Sequence, residues 1–357
     1  YQAVNPDLAI SPASHDFGQV NVGSTSTQQI ITITNNGDGD ASGCLAPTLG
    51  GNSLGNFSID SDSCSTADLA PGGSCQVAVS VTPSVVGVQN VLLERICDFG
   101  GIVSAGVSVE SVAPALAITP GSHDFGNIGV GSTSSSQLFI LNNSGDAAAT
   151  GCSSALLTGA DSAEFSINSD TCSNLDLLPE TSCQVSISGT PSVTGFKQVE
   201  LERSCIFGGN INSTITLNGI LPNLSQSPSI ADIGNVTVGG LPVSQAVTIT
   251  NSSTASAIGC SAPQIVGADF SDFTITSDSC STSDLAGGAS CQILVTGNPL
   301  SQGLKEVSLQ RTCTIGGVTS STIRTTGVLP SLALSPINHD FGKAAVGEKT
   351  SSQIFTL

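Results

Sequence analysis

The sequence predicts an all-β fold, in the form of tandem immunoglobulin-like β-sandwiches with two disulfides in each 108-residue repeat. Three observations support this: a cysteine frame of constant spacing, short stretches in which apolar and polar residues alternate, and turn residues between those stretches. The composition agrees, because the chain of 357 residues has 40 Gly, no Met, no Trp and one Tyr. Such a composition is rich in strand and turn formers and poor in helix formers.

All 12 cysteines belong to a frame of four that occurs three times without insertion or deletion. The spacings within a frame are 20, 11 and 22 residues, and the frames begin at Cys44, Cys152 and Cys260. A repeat of this length is enough for one two-layer domain with its own core. The predicted organisation is the end of a preceding repeat or an N-terminal strand at 1–7, domains at 8–115, 116–223 and 224–331, and the first strands of a fourth repeat at 332–357.

Within the first repeat, apolar residues alternate with polar ones at 31–33, 57–59, 75–79 and 91–97. This period of two is typical of strands with one buried face. Turn signals lie between these stretches, at Asn36–Gly37, Gly50–Gly51, Pro71–Gly73 and Gly100–Gly101. Seven or eight short strands per repeat, without a helical period, are typical of the immunoglobulin-like sandwich.

The joins between repeats are short. Only Ser111 to Ala115 separate the last strand of the first repeat from the next repeat, and a proline restricts part of that join. A joint of this kind bends less than a Gly/Ser tether does. We therefore expect a semi-rigid rod.

A short motif in the first repeat resembles a known family. The motif is Ser14–Gly18 (SHDFG), followed by Val22–Ser24 and Thr32–Asn35; Leu69–Cys75 (LAPGGSC) and Thr82–Pro83 complete it. It resembles the repeat of bacterial choice-of-anchor D surface proteins, which are similar to the ASPM and Hydin class of immunoglobulin-like domains. The resemblance implies an immunoglobulin-like fold and export to the bacterial cell surface, with no known catalytic residues. The third copy departs from the motif, because it has ADIG in place of HDFG.

The cysteines are expected to form disulfides in an oxidising, extracellular compartment. A zinc site is the alternative, but it would need cysteines in close local pairs. Four cysteines allow three pairings. Because Cys64 and Cys75 bracket one turn, they can meet across it, which leaves Cys44 for Cys97. The predicted pairs are Cys44–Cys97, Cys64–Cys75, Cys152–Cys205, Cys172–Cys183, Cys260–Cys313 and Cys280–Cys291.

The charge balance excludes some partners. The formal net charge is −19 with only 8 Lys and Arg, so nucleic-acid phosphates would be repelled. No apolar run is long enough to span a bilayer, and no signal peptide is visible. Since residue 1 is not Met, we expect a processed product or a stretch of a longer array.

The most informative charged residue is Arg95, which recurs as Arg203 and Arg311. It shares a strand face with apolar neighbours, so its stem should point into the core, where an unpaired charge is costly. We expect each arginine to pair with a recurring aspartate near the cysteine turn. The candidates are Asp62, Asp170 and Asp278, or Asp68, Asp176 and Asp284; anion binding by the arginine and simple turn-holding by the aspartates are the alternatives.

No constellation in the sequence indicates catalysis, a metal or a cofactor. The three histidines, His15, His123 and His339, are each alone in a copy, and the third copy has Ala231 instead. A triad or a metal cluster would need partners that recur with them. We therefore expect histidines that pack at a strand edge in a protein that is not an enzyme.

These observations predict a structural protein, either an extracellular filament subunit or a surface stalk, whose partner is another copy of itself. Two strands alone cannot bury a core, so either the chain is a stretch of a longer array or the strands of 332–357 are completed by a second subunit, with Leu332, Phe341, Ile354 and Phe355 as the assembly residues. The alternative is an adhesin or glycan-binding module. It is favoured where loops differ between copies, as Gly51–Leu54 and Gly159–Ser162 do.

Overall fold

Each 108-residue repeat folds into nine β-strands and one short 3₁₀ turn. A computed structural model describes residues 3–65, 68–281 and 283–357. The strands of the first repeat are β1 (Leu8–Ser11), β2 (Ser14–Asn21), β3 (Gln29–Asn35), β4 (Ser42–Cys44), β5 (Thr48–Gly50), β6 (Phe57–Asp62), β7 (Ser74–Val81), β8 (Gly87–Phe99) and β9 (Gly101–Val112).

The other two repeats have the same series of strands. In the second they are β10 (Leu116–Thr119), β11 (Ser122–Gly129), β12 (Gln137–Asn143), β13 (Thr150–Cys152), β14 (Leu156–Thr158), β15 (Phe165–Asp170), β16 (Thr181–Gly189), β17 (Gly195–Phe207) and β18 (Gly209–Ile220). In the third they are β19 (Leu224–Ser227), β20 (Ile230–Thr237), β21 (Val243–Asn251), β22 (Ile258–Cys260), β23 (Gln264–Val266), β24 (Phe273–Asp278), β25 (Ser290–Gly297), β26 (Gly303–Ile315) and β27 (Gly317–Val328). The 3₁₀ turns are Leu54–Asn56, Ser162–Glu164 and Phe270–Asp272.

The strands of each repeat form two sheets in the immunoglobulin-like order. In the first repeat the orders are β1-β3-β7-β6 and β2-β9-β8-β4, with β5 also pairing to β8. Strands β2 and β9 run parallel, and the other pairs are antiparallel. The predicted fold class, a tandem immunoglobulin-like sandwich with two disulfides per repeat, is confirmed.

There are nine strands per repeat where the sequence predicts seven or eight. The extra strand boundary lies at Pro12, where β1 ends and the chain passes from one sheet to the other. Proline has no N–H to donate to a ladder, so it interrupts what would otherwise be one edge strand. Pro120 and Pro228 occupy the same position between β10 and β11 and between β19 and β20.

The core of each repeat lies between its two sheets. In the first repeat the fully buried residues include Ile31, Ile33, Val77 and Leu93, which lie on β3, β7 and β8. Burial alternates along β8 with a period of two, as the apolar pattern of 91–97 predicts. The core therefore consists of small branched side chains supplied by both sheets.

The chain divides into two compact units. One comprises residues 1–123, 136–188 and 198–215, and the other comprises 124–135, 189–197 and 216–357. The first unit contains all of the first repeat and the second contains all of the third, while the residues of the second repeat are divided between them.

A glycine is required at the tip of the hairpin that joins β8 to β9. Gly100 has a φ of +129°, and Gly208 and Gly316 have 132° and 130°. A methyl group on Gly100 would lie 3.1 Å from Cδ1 of Leu8 and 3.2 Å from Cβ of Ala41. Residues with a Cβ rarely adopt this backbone conformation, and here the added carbon would also crowd the start of β1.

We predict that Gly100→Ala destabilises the first repeat by about 1–3 kcal/mol, because the left-handed backbone is strained for alanine. Urea unfolding followed by hydrogen exchange on peptides of β8 and β9 measures the effect. Gly106→Ala is the control, since Gly106 has no positive φ and open space at its Cβ position. Equal losses in the two variants would contradict the prediction.

Candidate functional site

Six disulfides join all 12 cysteines of the chain. Cys64 and Cys75 close the turn between β6 and β7, with their Cα atoms 5.1 Å apart. Cys44 and Cys97 are direct register partners on β4 and β8, with their Cα atoms 3.8 Å apart. The six bonds are Cys44–Cys97, Cys64–Cys75, Cys152–Cys205, Cys172–Cys183, Cys260–Cys313 and Cys280–Cys291.

A buried arginine lies beside the turn disulfide of every repeat. In the third repeat Arg311 is 1% exposed and projects from β26 into the sandwich. Its Nη2 donates to the carbonyl oxygens of Cys280 and Ser283, both at 2.6 Å, and its Nε donates to the carbonyl oxygen of Ser261 at 3.2 Å. The guanidinium therefore ties β26 to the turn before β25 and to the loop after β22.

The same contacts recur in the other copies. Each arginine donates to the cysteine carbonyl of the turn and to the loop after the short cysteine strand, and faces the sulfur of the second turn cysteine. For Arg95 these partners are Cys64 O at 2.8 Å, Leu45 O at 3.4 Å and Cys75 Sγ at 3.2 Å. For Arg203 they are Cys172 O at 2.9 Å, Ser153 O at 3.1 Å and Cys183 Sγ at 3.6 Å, together with Leu175 O.

The aspartates act on these arginines through charge. Burial lowers the pKa of Arg311 from its ordinary value, and the negative charges of Asp278 and Asp284 act in the opposite direction. Their carboxylates also hold the turns: Asp278 accepts from the amide of Cys280 at 2.6 Å, and Asp284 accepts from the amide of Gly259 at 2.7 Å. The hydrogen bonds described for Arg311 thus go to main-chain carbonyls, and the two aspartates contribute at longer range.

The other two copies repeat this electrostatic arrangement. Burial is the largest influence on the arginine pKa and lowers it, and two aspartates raise it. The groups are Arg95 with Asp62 and Asp68, and Arg203 with Asp170 and Asp176. Every repeat therefore surrounds its buried cation with carbonyl dipoles and two nearby anions.

We predict that Arg311→Met destabilises the third repeat by about 3–5 kcal/mol, because the apolar side chain leaves the buried carbonyl of Cys280 and the partly buried carbonyls of Ser283 and Ser261 without this donor. Hydrogen exchange on peptides of β25 and β26 measures this local loss. Arg324→Met is the matched control: Arg324 is partly exposed in an ion pair of 2.8 Å with Asp232, and its removal should cost less than about 1 kcal/mol. If hydrogen exchange in β25 and β26 is unchanged by Arg311→Met, Arg311 does not stabilise this part of the repeat.

A buried asparagine joins each repeat to the segment that precedes it. Asn143, at the end of β12, is 1% exposed. Its Oδ1 accepts from the amides of Ala115 at 2.9 Å and Gly145 at 3.1 Å. Its Nδ2 donates to the carbonyls of Ala147 at 2.7 Å and Leu177 at 2.9 Å. All four hydrogen-bonding positions of the amide are filled.

Asn35 and Asn251 make the corresponding bonds, to the amides of Asp7 and Asn223 among others. Sequence reasoning identified Asn35 only as part of a motif and assigned no role to it. The available signal was recurrence in register, since a polar residue directly follows an alternating apolar stretch in all three copies. Residues 1–7 are predicted to be the end of a preceding repeat or an N-terminal strand. Residues 3–7 form no strand and are held by this asparagine and the turn beside it, and residues 1–2 lie outside the described part of the chain.

We predict that Asn143→Ala loosens the join between the first and second repeats, because it removes the acceptor of the Ala115 amide and leaves two buried carbonyls without this donor. The expected result is faster hydrogen exchange and faster protease cleavage within 111–117. Asn142→Ala serves as control, since Asn142 points away from this network on the same strand. Unchanged exchange at 111–117 would show that the join does not depend on Asn143.

His15 and His123 lie on β2 and β11, each of which is the edge strand of its sheet. His15 is half-buried on β2, and its ring packs edge-on to Phe17 at a centroid distance of 4.7 Å. His339 packs on Phe341 at 4.8 Å in the same way. The third copy instead has the exposed Asp232–Arg324 pair, and the pKa of Asp232 is lowered by the hydrogen bond from the amide of Gly234 and then by that from Arg324.

No group of three or more His, Cys, Asp or Glu side chains in 3–65, 68–281 and 283–357 is arranged to hold a metal ion. Within the same residues, no helix has the length and apolar character required to cross a membrane.

Residues 332–357 contain one isolated β-bridge, between Ser335 and Thr356, where the sequence predicts the first strands of a fourth repeat. The bridge keeps the register of β1 and β3, in which Ser11 pairs with Thr32. The predicted assembly residues Leu332, Phe341, Ile354 and Phe355 are exposed. In the first repeat β7 pairs with β3 and so extends the β1–β3 pair, whereas in the described chain no strand pairs with 332–357 in this way.

Comparisons with known proteins support an immunoglobulin-like repeat. Residues 6–101 match the family model of the HYDIN/CFA65/VesB-like Ig-like domain. A search of curated protein sequences finds no match.

Three similar solved structures all have low sequence identity. Cadherin domains 1–4 of protocadherin gamma B7 are 12% identical, with 90% of this chain and 76% of that chain covered and a TM-score of 0.39. Mouse cadherin-23 EC22-24 is 11% identical, with 91% and 100% covered and a TM-score of 0.36. The secreted serine protease VesC from Vibrio cholerae is 15% identical, with 53% and 47% covered and a TM-score of 0.25.

Proposed function

We propose that this protein is a non-enzymatic extracellular structural protein, in which tandem immunoglobulin-like domains form a filament or a surface stalk by joining copies end to end. The observation that carries the proposal is the identical bracing of all three repeats. In each copy two disulfides join the four cysteines, and the buried arginine donates to a carbonyl of the cysteine turn and to a carbonyl of the loop after the short cysteine strand. A protein that transmits force or spans distance needs each unit to resist local opening.

The joins between repeats support a spacer. Strand β9 ends at Val112 and β10 begins at Leu116, so three residues connect them. The amide of Ala115 is bonded to Asn143, and its carbonyl accepts from the amide of Ser144 at 2.9 Å. A connection this short and this well bonded restricts bending more than a flexible linker would.

The disulfides support an oxidising location. Six structural disulfides are expected in a secreted or surface protein and are rare in the cytosol. The SHDFG motif, whose resemblance is to bacterial choice-of-anchor D repeats, makes the bacterial cell surface the proposed place.

Segment 332–357 is one candidate for the joint between copies. It exposes Leu332, Phe341, Ile354 and Phe355, and the residues that correspond to Phe355 and Leu357 in the first repeat are the core residues Ile31 and Ile33. Strands supplied by a second copy would cover this apolar surface. By the same register Ile354 corresponds to the outward-facing Ile30.

The test is negative-stain electron microscopy with sedimentation velocity on the purified chain. Polymers whose axial period is a whole number of domains are expected. If strands complete 332–357, deletion of that segment abolishes them; the three repeats keep complete sheets without it. Monomers at all concentrations that bind on a glycan array would instead establish the adhesin function and overturn the filament.

A further inference from the structure

A contact inside the second compact unit joins the second repeat to the third. The loop that follows β11 lies against two residues of the third repeat. A methyl group on Gly131 would lie 2.9 Å from Cδ1 of Ile315, and one on Gly129 would lie 3.2 Å from Cβ of Ala255. The residue at the end of β26, just before the hairpin turn, therefore rests on a glycine loop of the preceding repeat.

The first repeat has an exposed aromatic residue at that position. Phe99 occupies the place of Ile315 at the end of the corresponding strand and is 69% exposed, whereas Ile315 is half-buried. Behind it, Leu45, Ile96 and Ile102 form an exposed row across three neighbouring chain segments. The amide of Leu45 donates to the carbonyl of Ile96 at 2.9 Å, and Ile96 is the register partner of Ile102.

This row is apolar in the first repeat, and the fold does not require it to be. The second repeat has Ser153, Ser204 and Asn210 in the three places, and the third has Ser261, Thr312 and Val318. Since all three repeats fold alike with different residues here, the apolar row has no role in the core of its own repeat. Exposed apolar clusters of this kind mark contact surfaces. We name Leu45, Ile96, Phe99 and Ile102 the head surface.

The third repeat has a complementary surface. Gly239 takes the place of Gly131, and a methyl group there would meet no atom of the described residues within 4 Å, as is also the case at Gly23 of the first repeat. Two residues further on, Leu241 is 89% exposed, and it replaces Thr25 and Thr133 of the other repeats. Those threonines bond to threonines of a neighbouring loop, which an apolar leucine does not do.

Two further exposed leucines lie on the adjacent loops, Leu300 after β25 and Leu329 after β27. The loops are neighbours: the amide of Val238 donates to the carbonyl of Val328 at 2.9 Å, and Gly327 lies against the carbonyl of Ser301. Leu300 replaces Ser84 and Ser192 of the other repeats. We name Gly239, Leu241, Leu300 and Leu329 the tail surface.

We propose that the head surface of one copy docks on the tail surface of a second copy, and so repeats between molecules the joint that Ile315 and Gly131 form within one. The proposal rests on the proposed end-to-end assembly and names the residues that make it. The two surfaces are different and lie in different repeats, so each contact leaves one head and one tail free. Such a heterologous contact continues into an open chain of copies.

The charges of the chain determine how this contact should respond to salt. The only Lys or Arg of residues 8–115 is the buried Arg95, and the whole chain has a net charge of −19. Two acidic copies repel each other at low ionic strength, and an apolar contact has no ion pair that salt would weaken. Association through the head and tail surfaces is therefore strengthened by added NaCl.

The experiment is sedimentation velocity of the full chain over a range of protein and NaCl concentrations. The head variant Leu45→Ser, Ile96→Ser, Ile102→Asn carries the residues of the second repeat, so it should fold; Phe99→Ser is measured separately. The tail variant is Leu241→Thr with Leu300→Ser. We expect each to weaken association by about tenfold or more, as loss of a central apolar contact does.

The most specific test is to mix the head variant with the tail variant. A head variant keeps its tail and a tail variant keeps its head, so the mixture should form dimers of one copy of each and no longer chains. The control variant replaces two exposed apolar residues of the second repeat with the polar residues found at the same positions of the first repeat, Leu156→Thr and Ile206→Asp. It should associate as the unaltered chain does. Unchanged hydrogen exchange in β8 and β26 shows that the variants are folded.

Head and tail variants that polymerise normally would overturn the docking proposal. If polymers were also lost on deletion of 332–357, the end-to-end assembly would stand and strand completion would be its route. An unaltered chain that stays monomeric at every protein and salt concentration would overturn the assembly itself. Head variants that fail while the deletion still polymerises would support the docking surfaces.

Discussion

The burial of one guanidinium group per repeat is the constraint on which the rest of the sandwich depends. A cation without partners in this interior would cost several kcal/mol. Arg311 is tolerated because carbonyls of a turn and of a separate loop point at it, and the turn that supplies two of these carbonyls is held by the Cys280–Cys291 bond and the Asp278 carboxylate. Strand, turn, disulfide and aspartate therefore form one unit, and the loss of any member leaves the others in an unfavourable state.

This bracing compensates for a core of modest size. The chain has 12 Phe, no Trp and one Tyr, so most buried side chains are Val, Ile and Leu. Small side chains bury less apolar surface, which is the main stabilising contribution to folding. The net charge of −19 further opposes compaction. Disulfides act mainly on the unfolded chain and do not need a large core, so they stabilise such a domain efficiently.

The three repeats are alike inside and differ outside. Arg95, Arg203 and Arg311 make the same contacts, and Asn35, Asn143 and Asn251 bind the preceding segment in the same way. Position 96 and its equivalents, by contrast, are Ile, Ser and Thr on an exposed face. Constraints of packing act equally on every copy, whereas contacts with a second molecule involve only the copies that face it. Copy-specific surface residues are therefore where function is to be sought.

The sequence by itself determined the fold class, the two disulfides per repeat and the burial of Arg95, because spacing and a period of two are local properties that survive without coordinates. Only the tertiary structure decided what surrounds that arginine. Cys64 and Leu45 reach it from distant parts of the chain through their carbonyls, and every residue has a carbonyl, so composition contains no trace of these partners. The same holds for Asn143, whose four partners lie in three separate loops. Main-chain hydrogen bonds over long sequence separation are set by how the strands are arranged, and residue type does not encode them.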